Sequence, residues 1–109
     1  MEQRETTYKT LYANWYEYNE YRKTNPFVSS FFTTRFKEWP VRNKLFIDRM
    51  LKERKELIER YVKIDTENNQ YMSEQVNGKW RYVMIDETKG DEFEKLFAEW
   101  ENKTVNAYL

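Results

Sequence analysis

The stretch from Trp39 to Ile64 has the pattern of one long amphipathic helix, and no other feature constrains the fold as strongly. Apolar residues recur at alternating spacings of three and four, which places them along one side of a helix. The series is Ile47, Met50, Leu57, Tyr61 and Ile64, with Arg54 at the position between Met50 and Leu57, and the stripe is widened by Leu51, Ile58 and Val62. Pro40 suits the first helical position, where a backbone N–H has no partner. We therefore expect a central helix over about 40–64 that packs against other helices.

The polar side of this helix carries acid–base pairs four residues apart with the acid first, the favourable order. The pairs are Asp48→Lys52, Glu56→Arg60 and Glu59→Lys63. Arg54 is the exception to the pattern, because it lies in the middle of the apolar stripe. A charge there either extends to solvent at the edge of a monomer or sets the register of a helix pair.

Apolar spacing predicts two further helices. The first covers residues 6–23, and the last begins after Gly90, with Asp91 and Glu94 resembling a capping box. Residues 26–38 are ambiguous: Asn25-Pro26 suits a helix start, while the β-branched and aromatic content suits a strand. We favour a short helix that ends before Pro40. The tail TVNAYL either frays or adds a strand to a neighbour.

Asn77-Gly78 is the strongest short signal for a β-hairpin, which we place at about 70–85. A two-residue turn pairs Val76 with Lys79 and sets Glu74 opposite Arg81 as an ion pair. The preceding stretch DTENNQ is predicted to be a loop. The fold class is therefore mostly α (α+β): a single small helical domain over 1–109, with three to four helices around a long central helix and an inserted hairpin. The expected core consists of Ile47, Leu57, Ile58 and Tyr61 against Tyr12, Trp15, Phe32 and Phe97.

The composition excludes most catalytic chemistry. The chain has no histidine and no cysteine, which removes the commonest general base and the zinc sites built from these residues. Two glycines are too few for a phosphate-binding loop. The carboxylates at 86–94 match no calcium-loop spacing. We expect no enzyme activity, no cofactor, no metal and no small-molecule substrate.

No apolar run approaches the roughly 20 residues of a membrane span, and MEQRETTYK lacks the apolar core of a signal peptide. We therefore expect an intracellular protein without a membrane partner.

Charge is distributed unevenly along a chain of net charge zero. Residues 35–63 carry ten basic and five acidic side chains, whereas residues 65–109 carry five basic and ten acidic ones. The two segments either pack together or simply solvate their own faces, or they attract other copies or a charged partner. Candidate nucleic-acid contacts combine basic groups with the stacking rings nearby. They are Arg35, Lys37, Arg42 and Lys44, although Glu38 and Asp48 interrupt the run, so nucleic acid is an unlikely partner.

Aromatic residues make up 18% of the chain, and Tyr and Trp favour protein interfaces because each has an apolar body and a polar tip. We expect a partner protein or self-association. The candidate interface residues are Tyr16, Tyr21, Arg54, Trp80, Tyr82, Glu92 and Glu99.

From residue 39 to 109 the order of features resembles a family of small uncharacterised tailed-phage proteins encoded in the virion-module region. The shared pattern is an apolar residue before Pro-Val-basic, a Lys/Glu-rich helix ending in Leu-Ile-x-x-Tyr, a polar turn, and an acidic helix with a short apolar tail. The matching positions are Trp39, Pro40, Val41, Arg42, Leu57, Ile58, Tyr61, Asp65, Asn68, Phe93 and Val105. The aromatic N-terminal third and the full hairpin depart from the pattern.

The resemblance implies a non-enzymatic virion component or assembly factor, located in a host cytoplasm or in a virion. One alternative is a phage-encoded inhibitor that binds a host defence or transcription protein through acidic residues 86–101. The other is a nucleic-acid-binding accessory protein.

Overall fold

The computed structural model describes residues 2–24 and 34–108, with Thr24 and residues 34–37 as backbone alone. The predicted phenylalanine of the core, Phe32, lies outside this part, as does most of the ambiguous segment 26–38. The described residues form four α-helices: α1 (Tyr8–Thr24), α2 (Thr34–Arg42), α3 (Lys44–Tyr61) and α4 (Gly90–Glu101). Six strands pair two by two: β1 (Gln3–Thr7), β2 (Ile64–Asp65), β3 (Gln70–Tyr71), β4 (Ser73–Val76), β5 (Lys79–Tyr82) and β6 (Thr104–Tyr108). The mostly helical α+β class is confirmed.

The central helix is α3, which packs against α1, α2 and α4. It begins at Lys44 and not at Pro40, because Pro40 lies inside α2. Helical hydrogen bonding continues past the proline, since the N–H of Asn43 donates to the carbonyl of Trp39 over 3.1 Å. Asn43 therefore separates two helices that the sequence pattern merged into one.

The side chain of Asn43 is fully buried and joins this junction to the last strand. Its Nδ2 donates to the carbonyls of Trp39, over 3.0 Å, and Tyr108, over 2.8 Å. Its Oδ1 accepts from the N–H of Tyr108 over 2.8 Å. The amide thus pairs with Tyr108 as a neighbouring strand would.

The ion pairs of α3 differ from the predicted ones. In the described part of the helix they join Lys44 to Asp48, over 2.7 Å, and Lys55 to Glu59, over 4.0 Å, with the base first in both. Exposed side chains of this kind exchange partners at little cost, so order along the helix does not decide the pairing.

Two core clusters form along α3. The first contains the buried residues Tyr8, Leu11, Ile47, Met50, Trp100 and Ala107. The second contains Ile58, Val62 and Phe93. Leu57 and Phe97 are partly buried against both clusters, and Tyr12, Trp15 and Tyr61 each border one. Aromatic rings therefore contribute to the core of both clusters, as the composition predicts.

The two ends of the chain form a two-stranded sheet that was not predicted. β1 and β6 are antiparallel, with Gln3 opposite Tyr108 and Thr7 opposite Thr104. The expected helix over 6–23 therefore begins two residues later, at Tyr8, and the tail pairs within its own chain. On β6, Ala107 is fully buried in the first core cluster.

The predicted hairpin is present in the predicted register, but its strands β4 and β5 cover 73–82 and not 70–85, because Gln70 and Tyr71 pair with β2. Asn77 and Gly78 have φ of 52° and 79°, as a type I′ turn requires. Arg81 and Glu74 form the expected cross-strand ion pair over 3.1 Å. The stretch DTENNQ is not a plain loop, because Asp65 and Gln70 pair at the ends of β2 and β3.

The two hairpins branch from a bridge between Val62 and Met84. At the branch point three N–H groups donate in a closed ring: Lys63 to the carbonyl of Val83, Val83 to that of Met72, and Met72 to that of Lys63, each over 2.9 Å. This ring satisfies the backbone groups that three meeting strands would otherwise leave unpaired.

The start of α4 also differs from the prediction. The helix begins at Gly90, and Asp91 lies inside its first turn. The side-chain cap is instead Asp86, whose carboxylate accepts from the N–H of Thr88 at a short 3-10 helix, Glu87–Lys89.

Candidate functional site

Arg54 lies on the apolar side of α3, where three aromatic rings surround its guanidinium. The guanidinium carbon is 4.4 Å from the ring centroid of Tyr12, 5.8 Å from that of Phe97 and 5.9 Å from that of Trp100. Ring faces attract cations at these distances. We call these four residues the Arg54 cluster.

The rings are held in place by the packing of α1 and α4 on α3. The indole Nε1–H of Trp100 donates to the carbonyl of Met50 over 3.2 Å. Trp100 contacts the ring of Phe97, with centroids 5.4 Å apart, and the ring of Tyr12, at 6.2 Å. The cluster is therefore built on rigid helices and not on loops.

Part of the Arg54 guanidinium lacks a hydrogen-bond acceptor among the described residues. Its Nε is buried and has no hydrogen-bond partner. Among the described residues, no hydrogen bond or ion pair of Arg54 is found, although the side chain remains partly exposed. A buried N–H without an acceptor is costly and rare in native proteins, so it calls for an explanation.

Two surface hollows include rings of the cluster in their lining. Tyr12 lines a hollow of about 500 Å³ along the second half of α1, together with Trp15 and Tyr16. Phe97 lines a cleft of about 580 Å³ between α4 and the β4–β5 hairpin. Two rings of the Arg54 cluster thus each border an accessible surface.

The predicted tyrosines of α1 fall on different surfaces. Tyr16 is 53% exposed, and its ring centroid lies 6.3 Å from that of Tyr12, which links it to the Arg54 cluster. Tyr21 is half-buried and lines a separate hollow with Tyr18 and Trp39, on the side of α1 that faces α2.

The predicted aromatic pair of the hairpin is divided between surface and core. Trp80 is 69% exposed near the tip of the hairpin. Tyr82 is half-buried, and its ring packs against those of Tyr71, at 6.1 Å, and Phe93, at 6.3 Å. Tyr82 therefore attaches the hairpin to α4, and Trp80 is the exposed aromatic residue of the two.

The two glutamates predicted for the interface also differ: one is bonded within the fold and the other is exposed. Glu92 accepts a hydrogen bond of 2.9 Å from the hydroxyl of Tyr61. This bond raises the pKa of Tyr61 above its ordinary value, with a smaller contribution from burial. Glu99 is exposed in the groove between α3 and α4. Glu92 thus has a structural partner, whereas Glu99 makes no ion pair within the described residues.

The candidate nucleic-acid contacts do not form a continuous basic surface. Arg42 pairs with Glu38 over 3.7 Å, and Lys44 pairs with Asp48 over 2.7 Å. Arg35 and Lys37 lie on α2, but their side chains fall outside the described part. Arg42 and Lys44 thus belong to a solvated helix surface on which each basic group has an acidic partner.

The sequence pointed to Arg54 and missed the rings around it. Tyr12, Phe97 and Trp100 have ordinary core spacing, and their distance in sequence from Arg54 hides the contact. Within the described residues, no group of acidic side chains could hold a metal ion, and none of the helices could cross a membrane. Comparison of the chain with family models, with curated proteins and with solved structures found no match.

Proposed function

We propose that this protein acts by binding other protein chains, as a non-enzymatic virion component or assembly factor of phage type. The observation that carries the proposal is the Arg54 cluster, a partly exposed guanidinium that in part lacks an acceptor and is enclosed by aromatic rings. Arg, Tyr and Trp are the residue types in which interface binding energy concentrates. The phage setting rests on the resemblance of residues 39–109.

Two carboxylates, those of Asp65 and Asp86, have a shifted pKa with a cause in the local fold. The pKa values of Asp65 and Asp86 are lowered by hydrogen bonds from Asn68 and Thr88, respectively, so both carboxylates stay ionised. A general acid needs the opposite shift. Each of these shifts has a local cause in a turn or a cap, which favours a structural role for both residues.

The experiment is quantification of the protein in purified particles from infected cells. A virion component is expected at a fixed number of copies per particle through successive gradients. A chain that acts only during assembly is expected in precursor particles and not in mature ones. Absence of the protein from both precursor and mature particles would contradict the proposal.

The second candidate is the inhibitor of a host protein, and one observation favours it. Residues 86–101 carry seven acidic and two basic side chains, and Glu87, Asp91 and Glu94 are exposed without ion pairs among the described residues. Such a face suits a basic partner. An inhibitor would be found in the soluble fraction of infected cells, in complex with that partner.

A further inference from the structure

The geometry of the Arg54 cluster indicates the chemical class of its missing partner. Ring faces stabilise the positive charge, but the N–H groups point outward in the plane of the guanidinium and need acceptors there. A carboxylate matches that edge with two parallel hydrogen bonds. The group that completes the site is therefore a carboxylate presented at the partly exposed edge of Arg54.

The same side of the molecule carries an unpaired carboxylate. Glu94 lies three residues before Phe97 on α4 and lines the hairpin cleft with it. It is exposed and makes no ion pair among the described residues. Phe97 thus contacts the guanidinium of Arg54 and lines the same cleft as Glu94.

A surface with one unpaired cation and one unpaired carboxylate is self-complementary. When two copies face each other about a two-fold axis, each charge of one copy meets the opposite charge of the other. The same contact then forms twice, which doubles its contribution to the free energy of association.

We propose that a second copy of this chain completes the site, with Glu94 of each copy binding Arg54 of the other. This inference rests on the proposed function, because it names the partner of the same site. The exposed rings beside the pair, such as Tyr16, would exclude water from the contact. Charges that are partly shielded from water attract each other more strongly.

The uneven charge of the chain supports a contact between copies. Residues 35–63 have an excess of five positive charges, and residues 65–109 an excess of five negative ones. Among the described side chains, one ion pair joins the two segments, Lys103 to Glu53 over 3.0 Å. It uses the minority charge of each segment, so the excess on both sides stays available for contacts with another chain.

The experiment is analytical ultracentrifugation of the full chain over a range of concentrations, at low and high salt. We expect a reversible monomer–dimer equilibrium that salt weakens. Glu94→Gln should raise the dissociation constant at least about tenfold, as expected for loss of a close interfacial charge pair. Glu99→Gln is the matched control, because it makes the same change at an exposed glutamate of α4 on the opposite groove.

A second readout follows Arg54 itself. In the nitrogen-15 spectrum, the Nε–H signal that disappears in Arg54→Lys belongs to Arg54. We expect this signal to move with protein concentration in the wild type and to stay fixed in Glu94→Gln. Neither variant removes an apolar core side chain, and circular dichroism verifies the fold of each.

Three results would overturn the inference: a monomer at every concentration, equal effects of the two glutamine variants on the dissociation constant, or an Arg54 signal whose position does not change with protein concentration. These results are distinguishable from failure of the proposed function. A monomer found at fixed copy number in particles would place the binding partner among other virion proteins.

Discussion

Replacing Asn43 by alanine should destabilise the fold more than any other change of a single polar side chain described above. Asn43 is fully buried, and its amide makes three hydrogen bonds, two of them to the backbone of Tyr108. These bonds fasten β6 to the junction of α2 and α3, which lies 65 residues away in sequence. Alanine removes all three and leaves the Tyr108 N–H without an acceptor.

The magnitude follows from the number of bonds. At a net 0.5–1.5 kcal/mol for each hydrogen bond, three bonds amount to about 1.5–4.5 kcal/mol. Desolvated groups left unpaired raise the cost, whereas water that enters the site lowers it. We therefore expect Asn43→Ala to lower the free energy of unfolding by about 2–5 kcal/mol, a large part of the 5–15 kcal/mol typical of a domain.

The assay is urea unfolding followed by circular dichroism, with Asn102→Ala as the control. Asn102 is also an asparagine that follows a helix, but its exposed Nδ2 makes a single bond, to the carbonyl of Ala98 over 2.9 Å. Its replacement should cost less than about 1 kcal/mol.

Asn43→Asp is a second test, because it keeps the size of the side chain and its acceptor oxygen. The carboxylate cannot donate, and it would face the carbonyls of Trp39 and Tyr108, so at neutral pH the loss should equal or exceed that of alanine. A cost below 1 kcal/mol for Asn43→Ala, or a Tyr108 amide that exchanges freely in the wild type, would refute the reasoning.

Three further predictions test the core, the turn and the pH dependence. Leu57→Ala should cost about 2–5 kcal/mol in urea unfolding, because Leu57 contacts both core clusters; a loss below 1 kcal/mol would instead identify a partner-facing residue. Gly78→Ala should cost about 1–2 kcal/mol in thermal unfolding from backbone strain at φ 79°, since an added Cβ meets no atom within 4 Å; an unchanged melting temperature would contradict the type I′ turn. The pKa of Asp65 is lowered from 3.8, first by the Asn68 side chain, so its stabilising contribution is present above that value and is lost as pH falls through the lower folded value. Asn68→Ala should raise this pKa in an NMR titration, and an unmoved value would exclude the assigned cause.

Local patterns were sufficient for the β4–β5 hairpin and for the position of the last helix. Asn77-Gly78 fixes a turn through the backbone preferences of two adjacent residues, and the register follows from the turn length. The apolar side of α3 was equally readable, because its period is a property of the helix itself. In both cases the determining residues are neighbours in sequence.

The β1–β6 pair could not be predicted in the same way. β1 has the sequence QRETT, which contains no apolar residue and therefore no alternation to detect. Its partner lies at the other end of the chain, so the pairing depends on how α1 and α4 pack on α3. The sequence of β6 does contain a weak signal, because Val105 and Ala107 alternate with polar Asn106. Ala107 is buried in the structure and Val105 is half-buried.

Asn43, which is fully buried, and Arg54, which is partly exposed, illustrate two kinds of polar residue packed among apolar ones. Nothing near Asn43 in sequence predicts its burial, because two of its three hydrogen bonds depend on where Tyr108 comes to lie, 65 residues away. Arg54 was visible as a charge within an apolar stripe. Its aromatic surroundings were not, since they come from two other helices.

Replacing Arg54 by leucine separates a role in folding from a role in binding. Leucine gives up the contact with the Tyr12 ring, about 0.5–2 kcal/mol, and removes a buried Nε–H without an acceptor, which costs about 1–3 kcal/mol. Because these effects oppose each other, the unfolding free energy of the dilute monomer should change by no more than about 1 kcal/mol in either direction. Self-association should be lost in the same variant, measured by ultracentrifugation. A residue retained for folding gives the reverse result: a large loss of stability with association unchanged, which would assign Arg54 to the core and not to an interface.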